Sequence, residues 1–150
     1  MFNKNRIYPQ TNTTIVNKPK GLWFSVGDSW EKWLEEQGDC DMIDNYPIYT
    51  NITINNVNNI LFLRKEKDFN NLLKEFGTKP YIHEIAQRPT FKIFWEDVTS
   101  RYDGIIIDML NDWLYYYGFG MGQIPCNFIE AWDCLSGVIW NLKGADVSIN

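Results

Sequence analysis

A single mixed α+β domain is what this sequence of 150 residues predicts, on three observations. Ile48-Tyr49-Thr50-Asn51-Ile52-Thr53-Ile54 alternates apolar or β-branched residues with polar ones, the period of a half-buried strand. Phe69, Leu72, Leu73 and Phe76 recur at helical spacing and so share one face. Tyr102-Asp103-Gly104-Ile105-Ile106-Ile107 ends in an apolar run suited to a central strand. No internal repeat or low-complexity linker divides the chain, and its length suffices to bury a core without disulfides or metals, so residues 1–150 are expected to form one domain.

Taken in order, Arg6-Ile7-Tyr8 is a brief strand candidate stopped by Pro9, and Thr13-Thr14-Ile15-Val16 is a β-branched edge-strand candidate. Gly21 precedes a short strand, Leu22-Trp23-Phe24, which ends at Ser25. A helix is expected from about Ser29 to Gln37: Asp28 or Ser29 can cap it, Glu31 favours its positive end, and Gly38 closes it. Trp30, Trp33 and Leu34 fall on one face of that helix. Asp39 to Pro47 is a turn-rich connector.

Asn55-Asn56 turns the chain after Ile48–Ile54, and Ile60-Leu61-Phe62-Leu63 forms the next, more buried strand, so the two are expected to pair as a hairpin. Asp68 caps the helix that carries Phe69 to Phe76, and Gly77 ends it. Thr90 to Phe94 is extended, and a short helix starts at Trp95 and runs toward Arg101. After the 102–107 strand, Tyr115-Tyr116-Tyr117-Gly118-Phe119-Gly120-Met121-Gly122 is an aromatic-glycine loop, without the strand-to-helix context of a dinucleotide fold. Trp132 through Trp140 is expected as the last strand, with Ser136-Gly137 a bulge in its middle.

Composition narrows the function. The net charge of −5 argues against a general grip on nucleic-acid phosphates, because the basic clusters are only Lys18-Pro19-Lys20 and Arg64-Lys65. Cys40, Cys126 and Cys134 are three, widely spaced and without a CxxC, so free thiols in a reducing compartment are expected. His83 is the only histidine, which disfavours a histidine-containing zinc cluster and leaves any Ser-His-Asp or Cys-His chemistry to that one residue. His83-Glu84 reads either as an acid–base pair or as a surface pair. Met1-Phe2-Asn3-Lys4-Asn5-Arg6 lacks a secretion signal's apolar run, and no apolar stretch reaches membrane-spanning length, so a cytoplasmic protein without a membrane partner is expected. Phosphate-cradling GxxxxGK[ST], HExxH and GxSxG are missing. The abundance of Asn, Lys and Ile is what an AT-rich genome produces, as in a phage, a large virus or a low-GC bacterium.

The aromatic content is high, with seven Trp, eight Tyr and nine Phe, which suits a compact core or a stacking site. Gly21-Leu22-Trp23-Phe24-Ser25 leading into Ser29-Trp30 is one way to build a slot for a flat polar heterocycle, and its aromatics are equally suited to a core. This stretch resembles the second motif of the ADP-ribosyltransferase superfamily, a Gly-x-Tyr-Phe-Ala/Ser strand entering a helix in the poly-ADP-ribose polymerase branch. Tyr102-Asp103-Gly104-Ile105, Trp132-Asp133, Ser136-Gly137 and Ile139-Trp140-Asn141 are similar to ADP-ribosyltransferase-like proteins of phages and giant viruses.

The resemblance implies a split, mostly antiparallel sheet flanked by short helices, NAD as substrate, no metal, and transfer of ADP-ribose to a macromolecular acceptor. Trp23 and Phe24 would wall the nicotinamide site and Ser25 would contact the nicotinamide ribose, with Gly21, Trp30 and Tyr102 in the same cofactor-binding set. Asp133 or Glu130 would be the catalytic carboxylate, stabilising the oxocarbenium-like state formed when the nicotinamide–ribose bond breaks. Tyr8-Pro9-Gln10 stands where the superfamily has Arg or His, so Arg6, Tyr8 or Gln10 must hold the adenosine side; no Glu-x-Glu marks the late strand. These departures keep open a protein without turnover that sequesters an NAD-derived nucleotide or blocks a host protein, and a purely structural viral component. Asp103 and Asp108 flank the strongest strand and read as strand-end markers or as residues reaching a cleft.

Overall fold

The structure, a computed structural model, describes residues 2–10, 19–38, 50–77, 81–82, 89–90, 92–108, 132 and 134–150. Among these the chain is a small α+β fold with a mixed sheet and three helices. Strands β1 (Leu22–Ser25), β2 (Ile52–Ile54), β3 (Ile60–Leu63), β4 (Tyr81–Ile82), β5 (Pro89–Thr90), β6 (Gly104–Ile107), β7 (Ser136–Ile139) and β8 (Val147–Ile149) interleave with helices α1 (Ser29–Gln37), α2 (Glu66–Phe76) and α3 (Trp95–Arg101).

The main sheet has four strands in the order β1-β7-β6-β3. β7 pairs antiparallel with both neighbours, whereas β3 lies parallel to β6, the crossover passing through α2 and α3. β6 is buried at all four positions, as an apolar run in a central strand requires. Two further pairs, β2-β8 and β4-β5, are antiparallel.

β2 and β3 therefore do not form the hairpin that the sequence predicts. The reason lies in Asn55 and Asn56, which bond to the turn before β8 instead of closing on β3. The Asn55 N–H and Nδ2 both donate to the Asp146 carbonyl (3.1 and 2.8 Å), and Asn56 donates from N to Ala145 and from Nδ2 to Gly144 (3.0 Å each). These bonds hand β2 to β8 and leave β3 free to pair with β6. The chain also does not end on a Trp132–Trp140 strand: β7 covers only Ser136–Ile139, and β8 follows it. No bulge interrupts β7, because Gly137 sits in regular register between Phe24 and Ile106.

α1 spans Ser29–Gln37 and ends at Gly38 in the left-handed conformation (φ 73°), as its sequence predicts. Neither expected cap operates there: Asp28 makes no side-chain cap bond and pairs with Lys32, while the Ser29 hydroxyl donates to the Leu135 carbonyl (2.7 Å). α2 begins a turn earlier than Asp68 suggests. That carboxylate sits at the third helical position and reaches back to accept the Arg64 and Lys65 N–H groups at 2.9 and 3.2 Å.

The sheet separates two apolar clusters. Phe69, Leu72 and Phe76 of α2 and Trp95 and Val98 of α3 pack with Trp132, Val138 and Trp140 on one face. On the other, Ile106, Ile139, Leu142 and Val147 gather beneath β2 and β8. Trp132 and Trp140 are each 1% exposed, and their indole N–H groups donate to the Ser136 and Tyr102 carbonyls, so neither polar edge is buried unpaired. Each contributes on the order of 4–6 kcal/mol of gross apolar burial, an upper bound against a compact unfolded chain.

Candidate functional site

Alternation along β1 sends its neighbouring side chains to opposite faces of the sheet. Leu22 and Phe24 pack on the Ile106–Val147 cluster, and Trp23 packs on the cluster containing α2. The floor beneath Phe24 is Gly137: a Cβ there would lie 2.7 Å from Phe24 Cζ and 2.6 Å from the Ile105 carbonyl oxygen. Only a residue without a side chain lets the phenyl ring settle across β7. Gly21 meets the same constraint at the start of β1, where a Cβ would fall 2.5 Å from the Ile139 carbonyl oxygen.

Phe24 thereby enters a groove of about 810 Å³ between the main sheet and the β2-β8 pair. Leu22, Phe62 and Ile106 line it from the main sheet, Ile52 and Ile54 from β2, and Ile149 from β8. Trp23 and Ser25 also contribute to its wall, and Phe2 and Val26 stand at it as partly exposed apolar side chains. The Arg64 guanidinium lies 4.4 Å from the centroid of the Phe62 ring, just past the end of β3.

The carboxylate of this groove is Glu31, in the first turn of α1. Its side chain is half-buried, and Oε2 is shut off from solvent with no hydrogen-bond partner among the described residues. The connection that carries it is tied down on both sides: Val26 N–H and Ser29 Oγ both donate to the Leu135 carbonyl (3.0 and 2.7 Å), and Gly27 turns the chain at φ 59°.

The residues expected to form a site are divided by the structure. Trp23, Phe24 and Ser25 line the groove. The ring of Trp23, however, is half-buried against Trp132 (centroids 4.7 Å, 54° between planes), so it is not an open wall beside Phe24. Trp30 stacks on Trp33 at 5.0 Å along α1 and does not line the groove. Tyr102 lies on the α2 side, edge-on to Phe76 at 6.4 Å, in a separate cavity of about 550 Å³. Arg6 lays its guanidinium 4.3 Å above the Tyr8 ring, and Tyr8 donates its backbone N–H to Trp140 at 2.7 Å. The Gln10 amide is spent on clamping Lys20, accepting from its N–H at 2.8 Å and donating to its carbonyl at 2.6 Å.

Asp133 and Glu130 lie outside the described residues, as do His83-Glu84, the Tyr115–Gly122 loop, the Thr13–Val16 segment and the 39–47 connector. Asp103 is buried at the start of β6, where its carboxylate accepts from Asn141 Nδ2 at 2.7 Å and packs against Gly144; it braces the turn leading to β8. Glu31 is the functional candidate that sequence reasoning missed. Among the described residues, no group of three or more His, Cys, Asp or Glu could hold a metal ion, and no helix is long and apolar enough to cross a membrane. No family model matches the chain, and neither a curated protein nor a solved structure matches it.

Proposed function

We propose that the chain is an ADP-ribosyltransferase-like protein that binds NAD in the Phe24–Glu31 groove and transfers ADP-ribose to a macromolecular acceptor. The observation that carries this reading is the meeting, in one groove, of the Phe24 ring, the Ser25 residue that follows it, and the Glu31 carboxylate. Phe24 offers a face on which a nicotinamide ring stacks. Ser25 is exposed at the end of β1, where that strand borders the groove.

The chemistry asks little more. The glycosidic bond breaks with its electron pair leaving on the nicotinamide nitrogen, positive charge develops at the ribose C1′, and an acceptor nucleophile then bonds to that carbon. A fixed carboxylate beside C1′ stabilises this charge without reorganising, which is the role assigned here to Glu31, with Asp133 and Glu130 as its rivals. A second reading, sequestration of an NAD-derived nucleotide without turnover, is favoured by the first segment: of the three residues that could hold the adenosine side, Gln10 is committed to Lys20 and Arg6 lies over the Tyr8 ring.

Incubation with NAD labelled in the adenylate phosphate tests both. Label on a protein or nucleic acid together with released nicotinamide supports transfer, and Glu31→Ala and Asp133→Ala then show which acid is required. Binding without nicotinamide release supports sequestration. No binding at high micromolar NAD removes both readings.

A further inference from the structure

We propose that the groove selects its ligand by charge, taking a planar aromatic cation in preference to the neutral ring of the same shape, with Glu31 as the residue that reads the charge. This rests on the nicotinamide reading for its natural ligand: the groove would accept the oxidised pyridinium form and discriminate against the uncharged dihydropyridine.

Three observations support it. Glu31 lines the groove, and one of its carboxyl oxygens is closed to water and accepts no hydrogen bond among the described residues. Lys32, the neighbouring cation on α1, pairs with Asp28 at 3.1 Å. The groove also offers aromatic surface, Phe24 lying over Gly137 and Phe62 on β3, beside polar Ser25, Thr50 and Asn51. A neutral ring gains stacking on those walls but leaves the carboxylate as it was. A cationic ring gains the same stacking, attraction to the phenyl quadrupole, and attraction to the Glu31 carboxylate. The carboxylate's charge is shared by both oxygens, so the cation does not have to reach the sealed one.

The test uses 1-methylnicotinamide, a permanent cation, against nicotinamide, its neutral counterpart, by isothermal titration of the full chain. The cation is expected to bind at least roughly tenfold tighter, equivalent to about 1.4 kcal/mol. Glu31→Gln keeps the side-chain shape and should bring the two affinities together, whereas Glu35→Gln, an exposed position on the same helix with the same change in net charge, should preserve the preference. Equal affinities in the unaltered protein, no binding of either probe, or a preference that survives Glu31→Gln overturns the proposal. Comparison of NAD with NADH separates it from the broader reading. Equal binding of the two would leave an NAD site standing and sink the charge selection, while preference for 1-methylnicotinamide without any NAD binding would do the reverse.

Discussion

Replacing Gly137 by Ala tests both the register of the sheet and the floor of the groove. The added methyl would sit 2.6 Å from the Ile105 carbonyl oxygen, 2.7 Å from Phe24 Cζ and 2.8 Å from Ile106 Cγ1. The two side chains can yield by rotating, but the carbonyl belongs to the neighbouring strand and moves only with the β6-β7 ladder. Overpacking of this kind costs about 2–3 kcal/mol, near the upper part of the usual range. In a chain of this length that lowers the midpoint of thermal unfolding by about 5–10 °C. Urea denaturation of the single variants and of the Phe24→Ala/Gly137→Ala pair separates the two kinds of clash. With the ring removed, the cost of Gly137→Ala should fall by about 1 kcal/mol, the Ile105 contact remaining. A Gly137→Ala cost below about 0.5 kcal/mol, or one that Phe24→Ala leaves unchanged, would refute both the pairing and the seat of the ring.

Other substitutions discriminate between roles. Asn141→Ala removes the amide that donates to Asp103 and the oxygen that accepts the Gly144 N–H at 3.0 Å, and should cost about 2–3 kcal/mol by denaturation. Asp28→Ala breaks only an exposed i,i+4 pair, its side chains 66% and 71% accessible, and should change stability by less than about 0.5 kcal/mol. Trp132→Ala empties a fully buried site and takes away the ring that packs on Trp23, so about 3–5 kcal/mol should be lost. Trp30→Ala, on α1 but outside the groove, should leave the affinity for 1-methylnicotinamide within about twofold, whereas Phe24→Ala should weaken it by about tenfold.

Elements were legible wherever local physics decides them. α1 is bounded by the turn at Gly27-Asp28 and by Gly38, whose positive φ ends it, and β6 declares itself by three consecutive isoleucines. Partners were not legible, because an alternating pattern fixes which face of β2 is buried and not which strand lies beside it. Asn55 and Asn56 read as a tight turn, and nothing local reveals that their amides are taken up by residues 144–146. β8 was overlooked for a related reason: Val147–Ile149 is too short to show a period and is defined by its bonds to β2. At Gly137 the sequence predicts a bulge, whereas the missing side chain instead admits the ring of Phe24, the residue opposite it.

The site divides along the same line. Trp23 and Phe24 are adjacent in a strand, and the period of two forbids them to wall one slot from the same face, a constraint already present in the sequence. Glu31 was hidden for a subtler reason. It stands three residues after Asp28, the spacing at which an acid in the first turn folds back on the capping residue's N–H. The sequence itself gives it the local role of an acid at the positive end of α1. In the structure the return bond is not made: the carboxylate lies along the groove with an oxygen unpartnered, while the Asp28 side chain pairs with Lys32. A side chain that forgoes the local bond available to it, and leaves a sealed oxygen without a partner among the described residues, lowers the stability of the unliganded fold. Such a departure is expected where binding sets the requirement, and a cationic ligand would recover that cost on entering the groove.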